Sequence, residues 1–153
     1  MSENTTSVAM SDLPSLVGTT FGPSSWRTVT QEEVNRFADL TGDHNPVHLD
    51  PEFAAKTPFG GTIVHGYFTL SLVVPLMAEI LEVTGVGTGV NYGLDRLRFP
   101  APVLVGQKIR VSSRLAEVTE VPGGLQAVFE NTFEAEGTAK PVAVATMIVR
   151  YYA

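Results

Sequence analysis

The chain has 153 residues, of which 44% are hydrophobic and 17% charged; this composition is typical of a globular protein and excludes a disordered one. That length suits one domain with one hydrophobic core. The formal net charge of −6 argues against nonspecific nucleic-acid binding, and the lack of cysteine excludes disulfides and agrees with a cytoplasmic location.

The N-terminal residues, MSENTTSVAMSD, are small and polar. They contain neither the basic segment nor the apolar run of a signal peptide. We therefore expect residues 1–14 to form a flexible N-terminus and residues 15–153 to form the folded domain. The residues from 21 to 29 are compatible with a short extra strand.

The first helix is marked by its capping signals. Thr30 and Glu33 have the spacing of a capping box, and apolar residues then recur at helical spacing. Gly42 stands where a C-terminal cap is expected. The sequence therefore predicts a helix that ends just before residue 43.

A second helix signal follows only a few residues later. Asp50 and Pro51 have the pattern of an N-cap followed by proline at the first helical position, which predicts a short turn of helix as far as Lys56. The segment between the two signals is DHNPVH, residues 43–48. It is predicted to be a loop between two helix ends.

The longest apolar run is GYFTLSLVVPLMAEILEV, residues 66–83. A membrane span needs about 20 predominantly apolar residues, whereas this run meets its first charge at Glu79. We predict a buried helix with no membrane contact. Pro75 is expected to kink this helix or to end its first half, because proline cannot donate the backbone hydrogen bond.

The second half of the chain alternates apolar and polar residues with a period of two, which predicts strands. The four predicted strands are residues 90–99, 108–118, 125–136 and 142–151. The turn VPGG, residues 121–124, predicts a hairpin, and a shift of apolar parity near Asp95 predicts a β-bulge. The order predicts an α+β fold in which a four-stranded antiparallel meander packs on the apolar helix.

Two motifs in the first half carry a family resemblance. The segment GDHNPVH, followed after a spacer by FGGTIVHG and the apolar helix, resembles the hydratase motif of the MaoC-like family. This family comprises hotdog-fold (R)-specific enoyl-CoA hydratases and dehydratases, and the chain also resembles their nodulation protein N-like branch. The resemblance covers residues 26–83 in motif and the rest of the chain in strand order.

The resemblance implies a single hotdog domain, with a curved antiparallel sheet wrapped around one long apolar helix. It also implies a homodimer whose two sheets join edge to edge, with the acyl thioester bound between the subunits. The implied substrate is an acyl-CoA or acyl-carrier thioester, and no cofactor is implied apart from the coenzyme A that the substrate itself carries.

Hydration of a double bond conjugated to a thioester needs a base for water, an acid for the alpha carbon and dipoles for the enolate oxygen. Asp43 and His48 lie five residues apart on an Asn-Pro turn, close enough to hold one water, and histidine exchanges protons near neutral pH. By resemblance they are the catalytic dyad. The alternative is an Asx turn capped by Asp43, with His48 as an ordinary surface or hydrogen-bonded histidine.

Gly66 begins the apolar helix, where unpaired N–H groups and the positive end of the helix dipole meet. By resemblance its N–H polarises the thioester carbonyl; the alternative is a glycine that only eases entry into the helix. His65 is expected to orient the loop through a hydrogen bond. Asn45 fixes the turn or also contacts the bound water, and the variable residue His44 has no assigned role.

The helix and the first long strand supply the predicted substrate contacts. Four helix residues are expected to line an acyl slot: Tyr67, Leu70, Val74 and Met77. Some family members carry serine at the position of Val74, and here a serine occurs only three residues earlier, at Ser71. Arg96 and Arg98, together with Lys56, are candidates for the coenzyme A phosphates, the alternative being solvated charges on a strand.

Two other kinds of site are not predicted. The three histidines and Asp43 contain no zinc motif, and the Asn-Pro turn is a poor frame for convergent ligands. The run GVGTGV, residues 85–90, follows a helix and enters a strand, the reverse of a dinucleotide fingerprint.

The leading interpretation is an enzyme that reversibly hydrates trans-2-enoyl thioesters to (R)-3-hydroxyacyl thioesters. The alternatives are a noncatalytic hotdog subunit that binds an acyl ligand or supports an active partner, and a hotdog acyl-CoA thioesterase. The presence of both dyad residues favours the enzyme.

Overall fold

The computed structural model describes residues 5–153 as an α+β fold. The strands are β1 (Thr6–Ala9), β2 (Thr20–Phe21), β3 (Arg27–Thr28), β4 (Leu81–Thr84), β5 (Thr88–Arg98), β6 (Lys108–Val121), β7 (Gly124–Ala135) and β8 (Ala143–Tyr152). The helices are α1 (Gln31–Thr41), α2 (Pro46–Leu49), α3 (Pro51–Ala55), α4 (Gly66–Ser71) and α5 (Val73–Ala78), preceded by a 3-10 helix, Met10–Leu16.

The main sheet is antiparallel and has the strand order β2-β6-β7-β8-β5, with β3 also paired to β6. The four predicted long strands are confirmed, but the predicted meander is wrong, because β5 pairs with β8 and not with β6. The connection between β5 and β6 contains Pro100 and Pro102 and forms backbone hydrogen bonds with residues 62 and 64. It therefore carries the chain away from β5 instead of turning back in a hairpin.

Local features of the sheet agree with their sequence signals. The predicted bulge is confirmed, because the register shifts between Leu94 and Arg96; a second shift lies between Asn91 and Gly93. Val121 pairs with Gly124 across the predicted hairpin turn. The compatible stretch near residues 21–29 forms the two short strands β2 and β3.

The apolar helix is shorter than predicted and is divided in two. It is interrupted at Leu72, three residues before Pro75, which has no N–H to offer the carbonyl of Ser71. The expected effect of proline is therefore confirmed. The prediction of helix as far as residue 83 is wrong, because residues 81–84 form β4, which pairs in parallel with β1.

The prediction of a flexible N-terminus over residues 1–14 is wrong for its described part. Residues 6–9 form β1, and both Val8 and Leu13 are buried in the core. The physical reason is backbone pairing with β4, a partner some 75 positions away, which no local pattern signals. Residues 1–4 lie outside the described residues.

The two halves of the apolar helix pack on one face of the sheet, α4 against β8 and α5 against β6. Their contact surface includes Leu76 of α5 and the fully buried Leu115 and Phe129 of the sheet. Packing of these helices on the sheet fixes the position of the N-terminus of α4 relative to the loop that follows α1. None of the helices within residues 5–153 has both the length and the apolar character that crossing a membrane requires.

Candidate functional site

The loop after α1 is built from the predicted caps. Thr30 and Glu33 form the capping box, and Gly42 ends α1 in the left-handed conformation. The segment that follows is not a plain loop, as predicted, but contains α2. Asn45 is its N-cap, and its Oδ1 accepts a hydrogen bond of 3.1 Å from the Val47 N–H. Turn chemistry therefore occupies this side-chain oxygen.

Asp43 and His48 are brought together by this short helix. Asp43 Oδ2 lies 3.9 Å from His48 Nε2. Asp43 Oδ1 accepts a 3.3 Å hydrogen bond from the Asn45 N–H, so the Asx turn offered as the alternative interpretation is also present. One carboxylate oxygen shapes the turn, and the other remains directed toward the histidine.

The orientation of His48 is set by the backbone of the neighbouring segment. Its Nδ1 lies 2.7 Å from the Ile63 carbonyl oxygen, which can only accept, so Nδ1 carries the proton in the neutral ring. Nε2 then has a free lone pair on the side of Asp43. His48 is buried, whereas the Asp43 side chain is half-exposed, so the pair lies at the edge of a cavity with access to solvent.

One residue that was not predicted, Gln31, holds the main chain of His48 and is itself held by Thr62. Gln31, the first residue of α1, donates a 2.8 Å hydrogen bond to the His48 carbonyl oxygen, and its Oε1 accepts one of 2.8 Å from Thr62. This bridge ties α1, α2 and the segment before α4 together. A polar residue at the start of a helix does not by itself indicate a side-chain contact with a distant segment, so the sequence did not predict this bridge.

His65 lies directly behind the dyad. It is 2% exposed, its ring stacks on His48 with centroids 3.8 Å apart, and Phe37 contacts it at 4.9 Å. Its Nε2 lies 3.1 Å from the Asp43 carbonyl oxygen, which is the predicted orienting hydrogen bond. Its Nδ1 has no partner within residues 5–153. The neutral ring with its proton on Nε2 satisfies this arrangement.

Burial lowers the pKa of His65 from its ordinary value, and this predicts a pH dependence of stability. As the pH falls below about 6.5, the unfolded chain binds more protons at this residue than the folded chain, so the free energy of unfolding decreases. We therefore expect the melting temperature to fall less between about pH 7 and pH 5 in His65→Gln than in the wild type.

The exposed His44 provides the matched control for this prediction. The hydrogen bond that His44 donates to Asp39 raises the pKa of His44, so the effect of its protonation on stability has the opposite sign. His44→Gln should therefore not reduce the loss of melting temperature on acidification. An equal decrease in melting temperature on acidification in the wild type and in His65→Gln would contradict the prediction.

Asp43, His48 and His65 have three potential ligand atoms within 4.8 Å of one another, so the structure adds His65 to the predicted pair, although the Asn-Pro turn was predicted to be a poor frame for convergent metal ligands. Their orientation does not suit tetrahedral zinc. The two imidazole planes are only 26° apart and stacked, so their in-plane lone pairs are not directed at one point. The hydrogen bond to the Asp43 carbonyl also occupies His65 Nε2.

Gly66 begins α4, as predicted, and its N–H has no acceptor within residues 5–153. A Cβ at this position would lie 2.8 to 3.1 Å from three ring carbons of Phe99. The glycine therefore also has a packing role, since it accommodates the aromatic ring. This contact was not predicted, because the two residues are 33 positions apart in sequence.

Two cavities meet at this point. A cavity of about 680 Å³ is lined by Asp43, His65 and Tyr67, and one of about 310 Å³ is lined by His48 and Phe59. The residues that line both are Gly66 and Phe99. The dyad and the first N–H of α4 therefore face two neighbouring cavities, and the Phe99 ring borders both of them.

The other predicted slot residues lie along the same helix. Leu70 and Val74 line a cavity of about 300 Å³ between the helix and β5, and Val74 and Met77 line the next one, of about 390 Å³. The two cavities share Val74, Asn91 and Met147 and form a groove with a mostly apolar lining. Tyr67 is 71% exposed and lies at the end nearest Asp43.

Arg96 and Arg98 are not brought to this site within the chain. Leu97 lines the cavity of Asp43, and adjacent residues of a strand point to opposite faces, so both arginines lie on the other face of the sheet. Both are exposed, which suits the alternative interpretation as solvated charges. The exposed Lys56 ends α3 and lines neither cavity of the dyad.

A family model for the MaoC-like domain matches residues 12–135. The chain is 50% identical to 3-hydroxyacyl-thioester dehydratase Z of Mycobacterium tuberculosis over 146 residues, which cover 95% of this chain and 97% of that protein. It is 41% identical to nodulation protein N of Rhizobium leguminosarum bv. viciae, covering 92% and 89% of the two chains. Among solved structures, the (R)-hydratase from A. caviae involved in PHA biosynthesis superposes with a TM-score of 0.72 at 29% identity, over 87% of this chain and 94% of that one.

Proposed function

We propose that this chain, which belongs to the MaoC-like domain family, is a hydro-lyase that interconverts trans-2-enoyl thioesters and (R)-3-hydroxyacyl thioesters. The observation that carries the proposal is the pair formed by Asp43 Oδ2 and His48 Nε2, 3.9 Å apart beside a cavity. The dehydratase and hydratase names of the relatives support the same reaction.

The pair suits activation of water. Asp43 Oδ2 and the Nε2 lone pair of a neutral His48 are both acceptors, and a water molecule has two O–H groups to donate. A water bound to both has its oxygen lone pair free for carbon 3 of the enoyl group. As this oxygen attacks, one dyad group takes its proton, and the dyad then supplies a proton to carbon 2.

The Gly66 N–H is the proposed partner of the thioester oxygen. Negative charge develops on this oxygen when water adds to carbon 3, and a fixed N–H donor in a partly closed cavity stabilises that charge. The acyl chain then extends along the groove of Leu70, Val74 and Met77. Coenzyme A or an acyl-carrier pantetheine enters as part of the substrate, and we propose that the reaction uses no further cofactor. We also propose a cytoplasmic location.

An assay with enoyl thioesters of graded chain length tests the proposal. Hydration of crotonyl-CoA consumes the conjugated double bond and should give the (R)-3-hydroxy product. Release of free thiol would instead indicate the thioesterase. Lack of turnover with every thioester, despite binding, would indicate the noncatalytic subunit.

The groove predicts which residues limit chain length. We expect Val74→Phe and Leu70→Phe to reduce kcat/KM for long-chain enoyl-CoA by about tenfold or more and to spare crotonyl-CoA, because the added ring fills the groove. The matched control is Leu40→Phe, since Leu40 is 84% exposed on α1. An unchanged length profile in both groove variants would place the acyl chain elsewhere.

We also propose a homodimer joined at β5. This strand ends the sheet order, and its exposed side chains include Val90, Tyr92 and Leu94. A strand at the end of a sheet presents backbone N–H and C=O groups that can pair with a second copy, and β5 also borders the acyl groove. Light scattering during size-exclusion chromatography should give about twice the chain mass. Full specific activity in a species shown to be a monomer would rule the dimer out.

A further inference from the structure

Phe99 is a large aromatic side chain that lines both cavities of the dyad. It follows β5 and is 41% exposed. Its ring carbons occupy the space that a side chain at position 66 would need, with the nearest 2.8 Å from the Cβ that Gly66 lacks. The ring therefore rests on the backbone at the start of α4.

The ring also borders both of the cavities that the two dyad groups face. His48 lines the smaller cavity and Asp43 the larger one, although their side-chain atoms approach to 3.9 Å. Gly66 and Phe99 are the residues common to both linings. A substrate that contacts both members of the dyad from these cavities therefore passes beside Gly66 and this ring.

We propose that Phe99 is a specificity-determining residue that excludes acyl chains with a substituent on carbon 2. The proposal rests on the proposed function, in which the thioester carbonyl lies at Gly66 and carbon 2 is one bond away. A trans-2-enoyl thioester is planar, so a methyl group on carbon 2 lies in the plane of the conjugated system. An unbranched chain presents only a hydrogen there.

The packing of the ring makes this exclusion effective. Phe99 packs against the backbone at Gly66 on one side and the following Pro100 lines the smaller cavity, so a ring that moved aside would lose its contact with the start of α4. Forcing extra volume into such a contact is unfavourable. Shortening the side chain at position 99 should instead open space beside carbon 2 without removing either dyad group.

The test compares crotonyl-CoA with 2-methylcrotonyl-CoA, whose methyl group is on carbon 2, in the wild type and in Phe99→Leu. We expect the ratio of kcat/KM for the branched over the unbranched substrate to rise about tenfold or more, the usual range for one carbon in an apolar contact. Phe59→Leu is the matched control, because Phe59 is 42% exposed and lines the His48 cavity but not the Asp43 cavity. Its ratio should stay within about twofold of the wild type.

The possible outcomes separate the inference from the function on which it depends. A wild type without activity on crotonyl-CoA would overturn the proposed function, and the role of Phe99 with it. Activity on crotonyl-CoA with an unchanged ratio in Phe99→Leu, or with an equal rise in Phe59→Leu, would overturn only the role of Phe99. If Phe99→Leu fails to fold, Phe99→Met supplies the same comparison with a flexible side chain of closer volume, and an unchanged ratio in that variant would also refute the proposal.

Discussion

Replacing Asp43 by Asn, or His48 by Gln, is expected to lower kcat on crotonyl-CoA by about 100-fold or more, the usual contribution of a positioned acid or base. Both changes nearly preserve side-chain shape. Asn removes the charge from the oxygen that faces His48, and Gln removes the ring nitrogen whose lone pair faces Asp43. The measurements are kcat, KM and the melting temperature of each variant.

The chain offers a second Asp–His pair as a matched control. Asp39 Oδ1 and His44 Nε2 lie 2.9 Å apart, close to the dyad in sequence but exposed. Asp39→Asn and His44→Gln should therefore retain wild-type turnover within about twofold, as surface pairs of this kind contribute little. Equal losses in both pairs would show that general disturbance of the loop, and not the dyad, controls the rate.

A double variant tests whether Asp43 and His48 act on the same water molecule. If they do, Asp43→Asn combined with His48→Gln should lose little more activity than the more damaging single change, because groups that act as a unit are strongly non-additive. Losses that multiply would indicate two independent functions. Turnover near the wild-type rate in either single variant would remove the dyad assignment altogether.

The features that could be predicted from the sequence are those with local causes. The capping box at Thr30, the glycine cap of α1 and the bulge near Asp95 depend on residues within one turn or one strand. The approach of Asp43 to His48 is also local, because only the Asn-Pro turn and the helix it starts separate them. Local chemistry therefore predicted the centre of the candidate site.

The features that could not be predicted depend on contacts between distant parts of the chain. Strand periodicity shows that β5 has an inner face, but it does not distinguish β6 from β8 as its partner. The same limit concealed the pairing of β1 with β4 and the bridge from Gln31 to His48. For the candidate site, the largest omission was Phe99, whose ring meets Gly66 only because the end of β5 is carried past the start of α4.

This contact gives the substitution Gly66→Val a stronger physical basis than the sequence alone provided. A Cβ at position 66 would lie 2.8 Å from the Phe99 ring, and the two γ-methyl groups of valine would crowd the N–H proposed to bind the thioester oxygen. We expect kcat/KM to fall by about 100-fold or more for enoyl-CoA substrates of every length, as when an oxyanion donor is lost. The uniform loss distinguishes this position from the groove residues, where only long chains are penalised.

Two further variants separate obstruction of the N–H from displacement of the ring. Gly61→Ala is the control, because a Cβ there meets nothing closer than a side-chain carbon of Leu104 at 3.8 Å, and it should remain active. Gly66→Ala combined with Phe99→Leu relieves the ring contact while keeping a methyl group beside the N–H. Recovery of wild-type activity in this double variant would mean that Gly66 serves packing alone. Persistent loss for all chain lengths, with a normal melting temperature, would support the Gly66 N–H as the partner of the thioester oxygen.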